Sequence, residues 1–141
     1  MRALFVCLGN ICRSPTAEAV ARQMRPDLSF DSAGTANWHR GKPPYGPMQA
    51  AASAQGYDMR DLRARQVTAA DFETFDHIIA MDADNLAALR DMSTGRAQLS
   101  RLLDHAPETD VADVPDPYYT RDFDAALRLI ETGVSGLLRQ L

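Results

Sequence analysis

Short runs with strand character recur along the chain and predict four β-strands. Residues 3–6 form an unbroken apolar run, which is typical of a strand buried on both faces of a parallel sheet. Residues 28–32, 75–81 and 98–103 give three further predicted strands. Segments with helical spacing of apolar positions separate these runs, so strands and helices alternate.

Helix-start patterns fall between the predicted strands. Ser14 and Pro15 predict the beginning of the first helix, with Ser14 as the N-cap and Pro15 in the first helical position. Two further helices are predicted over about residues 47–55 and 82–92, the latter with Asp82 as its N-cap. Each helix would connect one strand to the next.

The last predicted helix has the most complete apolar face. That face consists of Phe123, Leu127, Ile130, Val134, Leu137, Leu138 and Leu141. Gly133 and Gly136 lie within the helix, and each is expected to weaken it by about 1 kcal/mol relative to Ala. The alternation as a whole predicts the α/β class: a single-domain three-layer sandwich with an open four-stranded parallel sheet and helices on both faces.

Composition narrows the expected partners and compartment. The 141 residues carry a net charge of −4, which disfavours nucleic acid as a partner. No apolar stretch reaches the ~18 residues of a membrane span, and the N-terminal apolar run is too short for a signal peptide. Two cysteines five positions apart make no disulfide framework, and His39, His77 and His105 are scattered. We therefore expect a cytoplasmic protein, without membrane contact or a bound metal.

The segment after the first predicted strand brings a thiol and a guanidinium together. Cys7 and Arg13 are six positions apart, and Gly9 and Asn10 between them tolerate left-handed backbone angles. The N–H groups of such a loop bind anions, and Arg13 can contact two oxygens of a phosphate. The positive electrostatic field of these N–H groups and of Arg13 also favours the thiolate form of Cys7 over the thiol. The hydroxyl of Ser14 can donate a hydrogen bond to that thiolate. This favours attack of sulfur on phosphorus; the alternative is a buried structural cysteine beside a solvated arginine.

The whole segment resembles a known phosphate loop. Residues 6–15 match the V-C-L-G-N-x-C-R-S-P motif of the low-molecular-weight protein tyrosine phosphatases. Further blocks resemble this family in its order: 31–35, 64–68, 75–82, 85–86 and 116–119. The resemblance implies one domain over residues 1–141 and a flavodoxin-like sheet with strand order 2-1-3-4. It also implies hydrolysis of phosphotyrosine monoesters through a phosphocysteine, without metal or cofactor.

The resemblance assigns roles in this reaction. Cys7 is the expected nucleophile, Arg13 binds phosphate, and Asp116 is the general acid and then the base. The other residues of the phosphate-binding loop are Leu8, Gly9, Asn10, Ile11, Cys12 and Ser14. Asp116 stands out between Pro115 and Pro117, which restrict the backbone around it. The sequence alone leaves three other carboxylates in this segment as candidates: Glu108, Asp110 and Asp113.

Aromatic residues are expected to form the walls of the substrate pocket. By resemblance, Leu8, Trp38, Tyr118 and Tyr119 surround a flat phenyl ring and exclude the shorter phosphoserine. The alternative for Trp38 is ordinary packing against its own loop. Ile11 favours phosphotyrosine, because related protein-arginine phosphatases have Thr at this position.

A supporting hydrogen-bond network is implied around the loop. In the family, an Asn corresponding to Asn10 is left-handed and contacts residues corresponding to Ser14 and Ser32, which fixes the loop before substrate binds. Many relatives have a His at the position of Leu62. We therefore expect the network to be one member short here, or to be satisfied by water.

Cys12 has two interpretations. It can be a buried hydrophobic residue, or it can be a redox partner, because relatives form a disulfide between the cysteines that correspond to Cys7 and Cys12. Such a bond protects the nucleophile from irreversible oxidation. The second interpretation predicts reversible inactivation by peroxide.

Two other functions fit part of the pattern. Thioredoxin-coupled arsenate reductases share the fold and the loop but need two further cysteines downstream, and none follows Cys12. A catalytically dead phosphotyrosine-binding module would lack the nucleophile, the arginine or the acid, and all three are present. We therefore expect an active phosphatase whose partner is a phosphotyrosine-containing protein. By resemblance it is mostly monomeric, with weak homodimerisation through the aromatic rim as a further expectation.

Overall fold

A four-stranded parallel sheet forms the centre of the molecule. The computed structural model describes residues 1–93 and 95–141. In it β1 (Arg2–Cys7) pairs with β2 (Ser29–Gly34) on one side and with β3 (His77–Ala80) on the other. β4 (Gln98–Arg101) pairs with β3, which gives the order β2-β1-β3-β4. The predicted α/β class and strand order are confirmed.

Helical segments connect and flank the strands. They are α1 (Arg13–Met24), α2 (Gly46–Ala54), α3 (Asp71–Thr74), α4 (Ala83–Met92), α5 (Pro117–Thr120), α6 (Phe123–Leu138) and two 3-10 turns, Leu102–His105 and Pro107–Thr109. The sequence did not predict α3, α5 or the 3-10 turns, because three or four residues are too few to show a helical period. Across the described residues, no helix combines the length and apolar character needed to cross a membrane.

Side chains of β1 alternate between the two faces of the sheet and support a core on each. Phe5 belongs to a cluster that includes Val20 of α1 and Ile130 of α6. Leu4 belongs to the cluster on the other face, which includes Leu89 of α4. Helices therefore cover both faces, and the three-layer sandwich predicted from the alternation is confirmed.

The strands end at different residues from those predicted. β2 continues to Gly34, beyond the predicted end at residue 32, because Gly34 still pairs with Cys7 of β1. β3 is shorter than predicted, since Phe75 is the C-cap of α3 and its N–H bonds to Asp71. β4 ends at Arg101, where the chain tightens into a 3-10 turn.

The start of α1 also differs from the prediction. The helix begins at Arg13, with Cys12 in the N-cap position and no side-chain cap, so the prediction of Ser14 as N-cap is wrong. The Ser14 hydroxyl instead lies within hydrogen-bond distance of the sulfur of Cys7 and of the carbonyl oxygen of Ala33. Contacts with the ends of β1 and β2 thus replace the capping role.

The two glycines of α6 permit close packing against the first 3-10 turn. A Cβ on Gly133 would lie 2.5 Å from Cγ of Leu102, and a Cβ on Gly136 would overlap the carbonyl oxygen of His105. The expectation that these glycines only weaken the helix is therefore incomplete. They let α6 approach the turn that follows β4.

Candidate active site

The loop between β1 and α1 lies at the carboxyl edge of the sheet. Asn10 is in the left-handed region, with φ of 57°, and its backbone N–H points to Sγ of Cys7 at 3.3 Å. A Cβ on Gly34 of β2 would lie 2.7 Å from the carbonyl oxygen of Leu8, so the loop can approach this strand only because residue 34 is glycine. The left-handed Asn10 and the close approach at Gly34 thus allow the loop to curl around Cys7.

The sulfur of Cys7 faces hydrogen-bonding groups although it is almost fully buried. Its Sγ is 3.0 Å from Oγ of Ser14, and the N–H of Asn10 adds a second contact. Both groups can donate to a thiolate. The sulfur therefore lies within reach of two groups that can donate a hydrogen bond to it.

Asn10 connects the loop to two neighbouring segments. Its Oδ1 accepts a hydrogen bond of 3.0 Å from the N–H of Arg65, and its Nδ2 donates to Oγ of Ser14 at 2.8 Å and to Oγ of Ser32 at 3.0 Å. The structure thus brings together the three residues of the predicted network. Every polar atom of the Asn10 side chain has a partner, which fixes its left-handed backbone.

The network ends at a residue that the sequence analysis did not single out. Leu62 packs against the core, and Ser32 donates instead to Oε1 of Glu18 at 2.6 Å. Oε2 of Glu18 pairs with Nη2 of Arg22 at 2.6 Å. Protein groups therefore complete the hydrogen bonds of Ser32, and the expected gap beside Leu62 is closed. A charged residue on the buried face of a helix was the available indication.

Arg13 is held by two groups from the segments that follow β3 and β4. Its Nη1 donates to Oδ2 of Asp82 at 2.6 Å and to the carbonyl oxygen of Val114 at 2.9 Å. Burial would lower the pKa of Arg13, but the neighbouring Cys7 and Asp82 raise it above its ordinary value. Asp82 was predicted as a helix cap and not as a site residue. It directly follows β3, which lies beside β1, and this adjacency was the available indication.

Asp116 lies at the same edge of the sheet. Its Oδ2 is 3.5 Å from Nη2 of Arg13, and its Oδ1 accepts from the N–H of Tyr118 and so caps α5. The rival carboxylates are directed elsewhere: Glu108 toward Arg139, Asp113 toward Arg101 and the N–H of Ala83, and Asp110 on the exposed surface. Of the four candidates, Asp116 alone is among the described residues that line the cavity over Cys7.

A cavity of about 230 Å³ opens above the loop. Its lining residues are Cys7, Leu8, Gly9, Ile11, Cys12, Arg13, Trp38, His39, Asp116, Tyr118 and Tyr119. Trp38 and Tyr119 are 65% and 73% exposed, so neither is packed into the core, and the interpretation of Trp38 as an ordinary packing residue is not favoured. His39 was not predicted as a site residue. Its ring packs closely over Gly9, since a Cβ on Gly9 would lie only 2.9 Å from Cδ2 of His39.

One side of the cavity is formed by a cluster of aromatic rings against which the guanidinium of Arg121 packs. The ring of Tyr118 is 5.2 Å from that of Tyr45 and 5.4 Å from that of Tyr119. The guanidinium of Arg121 lies over the rings of Tyr45 and Phe123 and donates to the hydroxyl of Tyr45. These contacts hold Tyr118 in place at the edge of the cavity.

The two cysteines of the loop are chemically different. Both are free and nearly fully buried. Burial, together with the nearby Cys7 and Asp116, raises the pKa of the Cys12 thiol to about 12. Cys12 therefore stays protonated at neutral pH. Cys7 differs in its surroundings, because Ser14 and the N–H of Asn10 lie within hydrogen-bond distance of its sulfur.

The histidines occupy unrelated positions. His77 begins β3 and has its pKa lowered by burial, while His105 lies against Ser100 and Gln140. Within residues 1–93 and 95–141, no three side chains of the His, Cys, Asp or Glu type come together as a metal-binding group would.

Comparisons with known proteins agree on one family. The family model described as "Low molecular weight phosphotyrosine protein phosphatase" matches residues 2–141. The low molecular weight protein-tyrosine-phosphatase YfkJ of Bacillus subtilis is 44% identical over 98% of this chain and 94% of its own length. A Streptomyces coelicolor protein of the same description is 40% identical, with coverages of 97% and 91%. The crystal structure of YfkJ superposes with a TM-score of 0.95, covering 99% of this chain and 93% of that one. A protein tyrosine phosphatase structure from Entamoeba histolytica gives 0.93, with 34% identity and coverages of 99% and 96%.

Proposed function

Because the chain belongs to the low molecular weight phosphotyrosine protein phosphatase family, whose members are cysteine-based and act without a metal, we propose that it hydrolyses phosphotyrosine through a phosphocysteine. The observation that carries this proposal is the set of donors around Cys7 directly below an open cavity. Phosphoproteins are the substrates that membership of this family implies.

In the first step the thiolate of Cys7 attacks phosphorus, the S–P bond forms and the bond from phosphorus to the tyrosyl oxygen breaks. Backbone N–H groups of the loop and the guanidinium of Arg13 bind the phosphate oxygens. Since Nη1 of Arg13 already contacts Asp82 and Val114, we assign Nη2 and Nε to the phosphate. Asp116 gives its proton to the departing oxygen.

In the second step water attacks the phosphocysteine and Asp116, now a carboxylate, accepts a proton from it. The S–P bond breaks and Cys7 leaves as a thiolate. Ser14, 3.0 Å from the sulfur, donates a hydrogen bond to the charge that forms there. Phosphate is released and Asp116 is protonated again, so no other reactant is consumed.

The lining of the cavity supports an aryl substrate. Leu8, Ile11, Trp38, Tyr118 and Tyr119 offer apolar and aromatic surface to a phenyl ring. A seryl phosphate lacks the ring that would make these contacts and is too short to reach from the rim to Cys7. We also infer a cytoplasmic, mostly monomeric enzyme in which any weak dimer forms through the exposed Trp38 and Tyr119.

The decisive experiment measures p-nitrophenyl phosphate and phosphotyrosine-peptide hydrolysis at mildly acidic pH in the presence of EDTA. The native protein should turn over both substrates, and Cys7→Ser should be inactive. Cys12→Ser is a matched control, because it removes the other thiol of the same loop and should retain turnover. Absence of turnover by folded, reduced native protein would instead favour a phosphotyrosine-binding module.

A further inference from the structure

Glu18 is a buried carboxylate that the proposed reaction does not use. It projects from α1, and its side chain is 3% exposed. Arg22 on its own helix, Asp31 of β2 and Arg65 of the segment before α3 are the charged groups that surround it. Burial raises the pKa of Glu18, while the hydrogen bond from Ser32 and the charge of Arg22 act in the other direction. A buried carboxylate is stable only when its oxygens accept hydrogen bonds, and both oxygens of Glu18 have a partner, Ser32 for Oε1 and Arg22 for Oε2.

A continuous hydrogen-bond chain leads from Glu18 to the reactive sulfur. A carboxylate only accepts, so Ser32 donates its single hydroxyl proton to Glu18 and accepts from Nδ2 of Asn10. The second Nδ2 proton of Asn10 goes to Oγ of Ser14. Ser14 is therefore an acceptor toward Asn10, and its own proton is free for the sulfur of Cys7 at 3.0 Å.

The orientation of Asn10 cannot reverse without loss. Its Oδ1 accepts the backbone N–H of Arg65, and a flipped amide would place two donors against each other there. The one competing acceptor for the Ser14 proton among the described contacts is the carbonyl oxygen of Ala33 at 3.3 Å. The backbone N–H of Arg65 thus fixes which way the Asn10 amide faces, and Glu18, which can only accept, takes the Ser32 proton and so fixes Ser32 as an acceptor for Nδ2 of Asn10.

We propose that Glu18 is a positioning residue for the reaction, whose ionised carboxylate directs the Ser14 hydroxyl proton toward Cys7 through this chain. The inference rests on the proposed function, because it takes Cys7 as the nucleophile. It also accounts for an ordered network in a chain that has Leu62 where many relatives have His.

The Glu18→Gln variant retains size and shape but adds a donor. Nη2 of Arg22 lies 2.6 Å from the carboxylate, and an NH₂ group placed there would face another donor, so the amide oxygen of the variant side chain turns to Arg22 and its NH₂ group points at Ser32. Oγ of Ser32 then faces donors from both sides, and its own proton loses the carboxylate. Nδ2 of Asn10 then loses a well-defined acceptor in Ser32, so the amide, although still oriented by Arg65, is held less firmly against Ser14, and the Ser14 proton is held less firmly toward the sulfur.

The test is the rate of alkylation of Cys7 by iodoacetate across mildly acidic to mildly alkaline pH, with the modified cysteine located by mass spectrometry. The variants are Glu18→Gln, Ser32→Ala and the two combined. Glu131→Gln is the matched control, because Glu131 also accepts a 2.6 Å hydrogen bond from a hydroxyl, that of Tyr57, outside the site. Thermal unfolding of each variant monitors the fold.

We expect Glu18→Gln to slow alkylation at mildly acidic pH by about tenfold, the scale of one lost hydrogen bond to a charged group. The midpoint of its pH profile should move upward, and Glu131→Gln should match the native protein. The double variant should be no slower than either single variant, because both act on one chain.

A native-like profile for Glu18→Gln, or additive effects in the double variant, would overturn the inference. If Glu18→Gln does not fold, Ser32→Ala decides alone: the same upward shift supports the inference, and a native profile refutes it. Failure of the proposed function looks different. In that case Cys7 of the native protein would react no faster than an ordinary cysteine at mildly acidic pH, whatever the variants do.

Discussion

Asp82 connects Arg13 to the frame of the fold through its two carboxylate oxygens. Oδ2 accepts from Nη1 of Arg13 at 2.6 Å, and Oδ1 accepts from the N–H of Asn85 at 2.8 Å as the N-cap of α4. One side chain therefore ties the guanidinium that we propose binds phosphate to a helix on the opposite face of the sheet. A charged partner of this kind limits the rotation of Arg13 before substrate arrives.

Asp82→Asn should separate these two roles. Asn caps helices as well as Asp does, so α4 should keep its N-cap, but the Nδ2 group would face the donors of Arg13. We expect kcat/KM for p-nitrophenyl phosphate to fall by about tenfold and inhibition by free phosphate to weaken. Asp84→Asn, in the first turn of the same helix, is the control. Unchanged kcat/KM in Asp82→Asn would show that Arg13 does not need this partner.

Asp116→Asn should slow the chemical step according to the leaving group. General acid catalysis contributes roughly 10²–10⁴-fold, and most of it when the departing oxygen is basic. We therefore expect a large loss of kcat with phenyl phosphate and a smaller loss with p-nitrophenyl phosphate. Asp113→Asn should behave like the native enzyme, because its carboxylate contacts Arg101 and Ala83. Equal losses with both substrates would argue against the acid role of Asp116.

Trp38→Ala should weaken substrate binding more than catalysis. An aromatic contact contributes about 0.5–1.5 kcal/mol, so the KM for a phosphotyrosine peptide should rise about threefold to tenfold at nearly constant kcat. Met24→Ala removes an exposed apolar side chain that does not line the cavity, and it should change neither constant. If KM stays the same in both variants, Trp38 is not a wall of the substrate pocket.

Cys12→Ser should make oxidation by peroxide harder to reverse. Peroxide oxidises the Cys7 thiolate to a sulfenic acid, and attack by the Cys12 sulfur expels water and forms a disulfide that added thiol can reduce. The raised pKa of Cys12 slows this attack, while its place on the same loop favours it. We expect the native enzyme to regain most of its activity after peroxide and then dithiothreitol, and the variant to regain much less. Equal recovery would leave Cys12 as a buried hydrophobic residue.

Gly136→Ala should destabilise the protein although Ala is the better helix former. Helix propensity favours Ala by about 1 kcal/mol, but the new Cβ would overlap the carbonyl oxygen of His105. Forced overpacking costs about 1–3 kcal/mol, so we expect a net loss in the free energy of unfolding. Thr132→Ala, on the half-buried side of the same helix, should be neutral or slightly stabilising. Urea denaturation distinguishes the two, and a stabilised Gly136→Ala would contradict the packing argument.

Local features of the site were predictable because they lie within one short stretch. The order of strand, loop and helix around Cys7 follows from neighbouring residues, and so do the donors that Asn10 and Ser14 contribute. The parallel sheet was predictable from the alternation of elements. Asp116 could be singled out only by family resemblance, since three other carboxylates lie nearby in the sequence.

Contacts across the fold were not predictable in the same way. Asp82 reads as a helix cap, and its contact with Arg13 follows only from the placement of β3 beside β1. The place of Glu18 on the buried face of α1 could be read from the spacing of apolar residues, but its hydrogen bond with Ser32 of β2 could not. The ends of β3 and β4 depend on short turns whose hydrogen bonds decide where pairing stops. The close approach at Gly136 depends on a 3-10 turn that has no periodic pattern.

The contact between Arg13 and the carbonyl of Val114 spans 101 positions in the sequence. During synthesis the ribosome releases the N-terminal residues first, so the nascent chain carries the loop with Cys7 long before the segment with Val114 and Asp116 exists. Closing such a distant contact also costs chain entropy, which the packing of the rest of the fold must offset. The loop that carries Cys7 is therefore synthesised first, but its contacts with Arg13 are completed last. The site exists only once the whole chain has folded.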